Sequence, residues 1–204
     1  MSNTFETDEQ RVSYGIGRQM GDQLLSSNIP DLAVDLVLAG LRDAYTQQPS
    51  PVDEAAMQAA FQTLQSKMQA LAEESARAAG KAGLEFLERN AAREGVVTLP
   101  SGLQYEVVSE GSGATPTASS TVRTHYEGTL ISGEVFDSSY KRGQPAEFPV
   151  GGVIAGWTEA LQLMQEGAKW RLYIPSNLAY GERAAGSIPP HSTLIFDIEL
   201  IKVL

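Results

Sequence analysis

Apolar residues return at four-residue steps near the start of the chain, at Val12, Ile16, Met20 and Leu24. That spacing places them on one face of a helix. Thr7-Asp8-Glu9-Gln10 just before them matches a capping box, Thr7 capping the helix and Gln10 reaching back. Asn28-Ile29-Pro30-Asp31 reads as the end of this helix and the start of a second. Leu32, Leu36, Val37, Gly40, Leu41 and Ala44 mark the second helix's buried face, and the prolines at 49 and 51 stop it. A third helix begins near Val52 and meets no proline until Pro100. Along it Met57, Phe61, Leu64, Met68, Leu71, Ser75, Ala78 and Ala82 alternate steps of four and three, the period of a seam between helices. Some 40 residues at 1.5 Å each make a rod of roughly 60 Å. Large seam residues give way to small ones in its second half, where Gly80 and Gly83 also lie. The pattern therefore predicts a packed first half and an exposed, bendable second half, with a break near Gly80 as the alternative.

From Val96 the period drops to two. Ala168, Trp170, Leu172 and Ile174 alternate with Lys169, Arg171 and Tyr173; Leu194, Phe196, Ile198 and Leu200 alternate with Ile195, Asp197 and Glu199. These are half-buried antiparallel strands. One short helix fits between them, Trp157 to Met164, closed by Glu166-Gly167. The chain is thus α+β: helices first, then a sheet with a single helix.

Composition narrows the function. The 204 residues carry a formal charge of −10. Divided near Gly95, the first part has 14 acids against 8 bases and the second 11 against 7, so both are acidic. Neither nucleic acid nor an anionic membrane is the expected main partner. There is no cysteine, and the two histidines, His125 and His191, stand in no metal-ligand spacing, so no metal and no cofactor is expected. The first ten residues are polar and acidic, without a basic region and apolar core, and no run of 18 apolar residues occurs; a cytoplasmic location is expected.

Two features invite chemistry. Tyr14-Gly15-Ile16-Gly17-Arg18-Gln19-Met20-Gly21 looks like a phosphate loop, but it lies inside the first helix with no strand before it. The better reading is a packing seam: Gly17 and Gly21 share a face, and Gly40 of the second helix can face them. The second feature is a scatter of aromatic and aliphatic residues beside turns in the β region. Trp157 opens the only helix there, directly after Gly156, and Tyr180 lies in a loop where burial is not expected.

Six stretches, in order, carry a resemblance: His125-Tyr126-Glu127-Gly128, Phe136-Asp137-Ser138-Ser139, Val153-Ile154-Ala155-Gly156-Trp157, Ala179-Tyr180-Gly181, Ile188-Pro189-Pro190 and Leu194-Ile195-Phe196-Asp197. Together they resemble the FKBP family of peptidyl-prolyl cis–trans isomerases, over about residues 100 to 204. The helical first half resembles the Mip-like bacterial subgroup, whose members are V-shaped homodimers. The resemblance implies an N-terminal helical dimerisation domain (1–70), a stalk that continues the long helix (71–95) and an isomerase domain (96–204), whose curved antiparallel sheet wraps around one short helix. It implies catalytic roles for Tyr126, Phe136, Asp137, Trp157, Tyr180 and Phe196, and substrate contacts from Val153, Ile154 and Ile188. Trp157 would be the floor under the proline ring, the Ile154 N–H and the Tyr180 hydroxyl would hold substrate carbonyls, and Asp137 would orient the amide. It further implies a dimer interface with Tyr14, Gly17, Gly21 and Gly40, and as partners a second copy, proline-containing unfolded or partly folded polypeptides, and the macrolides tacrolimus and rapamycin. A proline- or macrolide-binding chaperone with little catalysis is the alternative. Ala146 stands where many members have a pocket phenylalanine, so one wall should be more open.

Overall fold

The computed structural model describes residues 5–27 and 29–204; the turn expected at Asn28 and the first four residues lie outside them. Three helices come first: α1 (Asp8–Ser26), α2 (Val34–Tyr45) and α3 (Glu54–Ala91). Strands β1 (Val96–Thr98), β2 (Gln104–Ser109), β3 (Thr121–Leu130), β4 (Val135–Ser138) and β5 (Ala146–Pro149) follow, then α4 (Ala155–Leu161), β6 (Lys169–Ile174) and β7 (Leu194–Val203). The chain divides into two compact units, Met1–Leu71 and Ala72–Leu204.

In the first unit the capping box forms as read. The Thr7 hydroxyl accepts from Gln10 N at 3.3 Å, and Gln10 Oε1 accepts from Thr7 N at 3.4 Å and Glu6 N at 2.8 Å. The second helix departs from its reading. It starts at Val34, not Asp31, and has no side-chain cap. Asp31 instead adopts a left-handed backbone, φ 57°, and pairs with Lys67 at 3.3 Å. The burial expected for these helices is also absent within the chain: neither α1 nor α2 contains a buried residue. Leu36 is 73% exposed and Phe61, on the expected α3 seam, 63%.

The long helix reverses its reading. It runs unbroken through Gly80 and Gly83, and its second half is the half that packs. Gly83, Leu87 and Asn90 are buried, so the helix packs from about Ala79 onward, while residues 71–78 are almost all exposed, as expected for a stalk. Asn90 donates to Gln104 Oε1 at 2.9 Å, and Gln104 donates to the Leu87 carbonyl at 2.9 Å. Phe86 meets Tyr173 with ring centroids 5.8 Å apart. Arg93 donates to the Asn90 side chain at 2.8 Å and to the Tyr173 hydroxyl at 2.9 Å. These contacts explain why Tyr173, expected to face outward from its strand, is 3% exposed.

The sheet is wholly antiparallel, in the order β1-β2-β6-β7-β3-β4, with β5 pairing beside β3. Register shifts at Val107/Ser109, Arg123/Thr124 and Gly128/Thr129 interrupt the ladders; such bulges bend and twist a strand. The alternation read in β7 holds through Leu200, with Leu194, Phe196, Ile198 and Leu200 buried. The single helix starts two residues before Trp157 and ends at Leu161, earlier than expected. Its Leu161, with Met164 after it, sits fully buried against Leu172, Ile174, Ile198 and Leu200. Burying side chains of this size contributes about 1.5–3 kcal/mol each. Gly156 lets the helix lie close on β6, because a Cβ there would fall 2.5 Å from the Ile174 methyl.

Candidate active site

A cavity of about 680 Å³ opens between α4 and the sheet. Its walls bring together residues scattered over 70 positions of sequence: Tyr126, Phe136, Asp137, Val153, Ile154, Trp157, Tyr180, Ile188 and Phe196 all line it. Each arrives by a simple local rule. Tyr126 is an inward position of β3 and Phe196 of β7; Phe136 and Asp137 come from the short strand β4, and Trp157 from the first turn of α4.

Trp157 is the hub. Tyr126, Phe148 and Phe196 surround it with ring centroids at 5.2, 5.7 and 5.2 Å and planes at 85°, 83° and 85°. Phe136 stands edge-on to Phe196 at 5.5 Å. Such perpendicular pairs match the positive edge of one ring to the negative face of another. Phe148 corrects an expectation: the wall is not open at Ala146, because Phe148 two residues on fills it. Ala146 and Phe148 share a face of β5, both half-buried. The period-two rule applied to that strand could have found Phe148; the motif comparison looked only at Ala146.

Asp137 anchors the polar edge. The Tyr126 hydroxyl donates to its Oδ2 at 2.5 Å, and Arg142 donates to its Oδ1. Arg142 also donates to the Tyr126 oxygen at 2.8 Å and lies over the Tyr126 ring at 5.4 Å. Burial pushes the Asp137 carboxyl up, but the bonds from Tyr126 and Arg142 and the guanidinium charge outweigh it, holding the group below its ordinary value. Burial, above all, pushes the Tyr126 phenol up. The pair is a fixed anion and its donor. Arg142 was not singled out in the sequence: five residues from Asp137, it had no signal until the turn brought it back.

A sign follows for pH. A carboxylate with a lowered folded-state pKa adds stability that is complete above its unfolded value of about 3.9 and is lost as pH falls through the folded value. Both partners are more than two-fifths exposed, so solvent screening keeps the contribution small. Arg142→Ala removes the guanidinium's share and leaves Tyr126 alone to oppose burial, so the Asp137 carboxyl moves upward. The expected result is a smaller stability difference between about pH 7 and about pH 3 than in the parent. Urea midpoints at the two pH values measure this, and an unchanged difference would refute the role given to Arg142.

The remaining wall comes from the segment after Tyr180: Ala185, Gly186, Ser187 and Ile188 line the cavity, of which the sequence pointed only to Ile188. Tyr180 itself is 42% exposed at the rim. Tyr180 and Ile154 both line the cavity, and among the described residues nothing bonds the Tyr180 hydroxyl or the Ile154 N–H. The expected interface residues lie elsewhere. Tyr14, Gly17 and Gly21 line a separate groove on the helical unit. Gly40 does not line it, and a Cβ on any of Gly17, Gly21 or Gly40 would meet nothing within 4 Å. Within one chain, then, no backbone packs closely on these glycines, and the interface expected of them concerns a second copy.

A single helix laid on an antiparallel sheet, with an aromatic cavity between them, is the arrangement that the motif resemblance implied for an isomerase domain. Family comparison gives the same class. Residues 112–201 match the model of the FKBP-type peptidyl-prolyl cis-trans isomerase, and residues 9–107 match the domain amino terminal to it. The chain is 48% identical over 202 residues to the FKBP-type 22 kDa peptidyl-prolyl cis-trans isomerase of Escherichia coli K12, covering 98% of both chains. It is 41% identical to the outer membrane protein MIP of Legionella longbeachae, covering 99% of this chain and 88% of that one. The crystal structure of FkpA from Escherichia coli superposes with a TM-score of 0.70 at 38% identity, covering 98% of each chain. The protein belongs to the FKBP-type peptidyl-prolyl cis-trans isomerases, and its activity is rotation about X-Pro bonds.

Proposed function

We propose that the cavity accelerates X-Pro rotation by seating the pyrrolidine ring on Trp157 and desolvating the amide. The observation that carries this is the group of perpendicular rings around Trp157, with Ile154 and Tyr180, whose donors are unengaged, lining the same space. Amide resonance sets a barrier of about 18–20 kcal/mol to rotation. A planar amide is more polar than a twisted one, so an aromatic, water-poor site disfavours the planar form more. Only this difference between ground and transition state raises the rate. The Ile154 N–H and Tyr180 hydroxyl hold substrate carbonyls, while Asp137, its oxygens engaged by Tyr126 and Arg142, orients the amide by its field. Val153 and Ile188 complete the apolar wall, which also suits tacrolimus and rapamycin. The test is a protease-coupled proline-peptide assay with and without tacrolimus; activity that the macrolide leaves untouched would place catalysis elsewhere.

A second copy of the chain is the proposed occupant of the helical unit. Supporting it are the absence of any buried residue in α1 and α2 and a groove of about 820 Å³ lined by Tyr14, Gly17, Gly21, Leu24, Leu25 and Leu38, among others. Exposed apolar surface on this scale signals association. Gly17→Leu or Gly21→Leu should convert a dimer to monomers, read as mass in solution; a parent-like mass argues against the seam. The same monomers should refold proline-containing proteins less well yet turn over short peptides normally. Two linked pockets raise the effective concentration for a long client and give a short one nothing.

The compartment is a separate proposal. We propose a cytoplasmic location, with the envelope as the alternative, since one relative is named an outer membrane protein. Fractionation against cytoplasmic and envelope markers decides between the two, with a cytoplasmic pool as the expected result.

A further inference from the structure

The wall that follows Tyr180 ends in a tight turn. Ala185 N donates to the Ile188 carbonyl and Ile188 N to the Ala185 carbonyl, each at 3.0 Å, with Gly186 at φ 59° between them. The chain then returns through Pro189–Thr193, and this return segment is held from two sides. On one side His191 N donates to the carbonyl of Gly181 at 2.7 Å, tying the end of the loop to its beginning, and Ser192 Oγ donates to the Pro189 carbonyl at 2.8 Å. On the other side lies α3. A Cβ on Gly80 would stand 3.3 Å from the His191 Cβ; one on Gly83 would stand 2.5 Å from Thr193 Oγ1 and 3.1 Å from its Cβ.

Two glycines weaken a helix interior, yet α3 neither breaks nor ends at them. What they permit is the approach of the return segment. His191 occupies the left-handed region at φ 61°, which a non-glycine residue enters only when its surroundings hold it there. We infer that Gly80 and Gly83 are positioning residues: by seating His191 and Thr193 against α3 they set where Ala185–Ile188 stands over the cavity, and thereby which residues beside proline the enzyme accepts. The catalytic unit thus includes the second half of the long helix as the support behind its substrate wall. This rests on the isomerase activity, and the parent enzyme's turnover of the same peptides is the control for that activity.

A cavity of about 100 Å³ lies at this contact, lined by Ala79, Leu130, Ile131, Ser132, Pro189, Ser192 and Thr193. It gives the return segment room to move when displaced, so a methyl group at residue 83 shifts the wall before it unfolds the domain.

The test is Gly83→Ala in the full chain, with kcat and KM measured on a peptide series that varies the residue before proline. Misplacing a substrate wall by a fraction of an ångström should lower kcat/KM by about tenfold for bulky residues, mainly through KM, and less for small ones. Adding Thr193→Ala, which removes the atom nearest the new methyl, should restore the parent's ranking of peptides. A folded Gly83→Ala with the parent's ranking overturns the proposal, as does a loss that Thr193→Ala leaves unrepaired. If near-ultraviolet circular dichroism shows Gly83→Ala to be unfolded, Gly80→Ala, with its milder intrusion at His191, is read on the same series. An unchanged ranking there overturns the proposal equally.

Discussion

Replacing Trp157 by leucine should lower kcat/KM on proline peptides by about a hundredfold, equivalent to about 2.7 kcal/mol of transition-state stabilisation. The residue holds two positions at once. It is 4% exposed and belongs to the buried core, and it also lines the cavity. Three rings stand perpendicular to it, each such contact worth about 0.5–1.5 kcal/mol beyond area. Leucine keeps the site apolar but removes the flat surface under the proline ring and lets the three rings relax inward. Stability should fall as well, by about 2–4 kcal/mol, as for other large-to-small core changes. Activity is therefore to be measured at a temperature where circular dichroism shows the variant folded. Phe136→Ala is the companion test, because Phe136 is only half-buried and its loss costs less stability. It should still remove most turnover by opening the wall to water. Parent-like turnover in either folded variant would sink the assignment of this cavity as the active site.

The second large effect is expected at a residue with no side chain. Gly128 lies on β3 between Asp137 of β4 and Phe196 of β7. A Cβ there would fall 2.6 Å from Phe136 ring atoms and 2.7 Å from the Phe196 ring. Neither ring can easily yield: Phe196 is wedged against Trp157, and Phe136 against Phe196. Gly128→Ala should therefore drive both rings into the space meant for proline. The expected loss in kcat/KM is about ten- to a hundredfold, with overpacking costing about 1–3 kcal/mol of stability. Steady-state kinetics together with a urea titration separate the two effects. Full activity would mean that the strands part without moving the pocket, against the close packing seen there.

How much of this was legible beforehand varies by element. The capping box at Thr7 and the alternation of β7 are local patterns, and both appear as read. The nine residues carried over from the family motifs meet in one cavity because those motifs are ordered along strands and turns that converge. Phe148 was missed although strand parity on β5 would have shown it. Arg142 had no local signal, and Gly128 and Pro189-Pro190 stood in the motifs without a role, since each matters only through a neighbour remote in sequence.

The long helix shows where such reading stops. Large seam residues in its first half suggested packing and small ones in its second half suggested exposure; within the chain the reverse holds. Small residues mark a weak seam if nothing approaches, and the closest contact if a backbone does. Periodicity cannot distinguish these cases, because it reports which positions share a face and not what lies opposite. By itself the sequence determined the leading helices, the strands β6 and β7 and, through its motifs, the family and the pocket-forming residues. Only the tertiary structure decided which faces are covered, that α3 sets Gly80 and Gly83 against His191 and Thr193, and that Arg142 locks Asp137. Burial and electrostatic pairing depend on distances between residues far apart in the chain, and those distances exist only once it has folded.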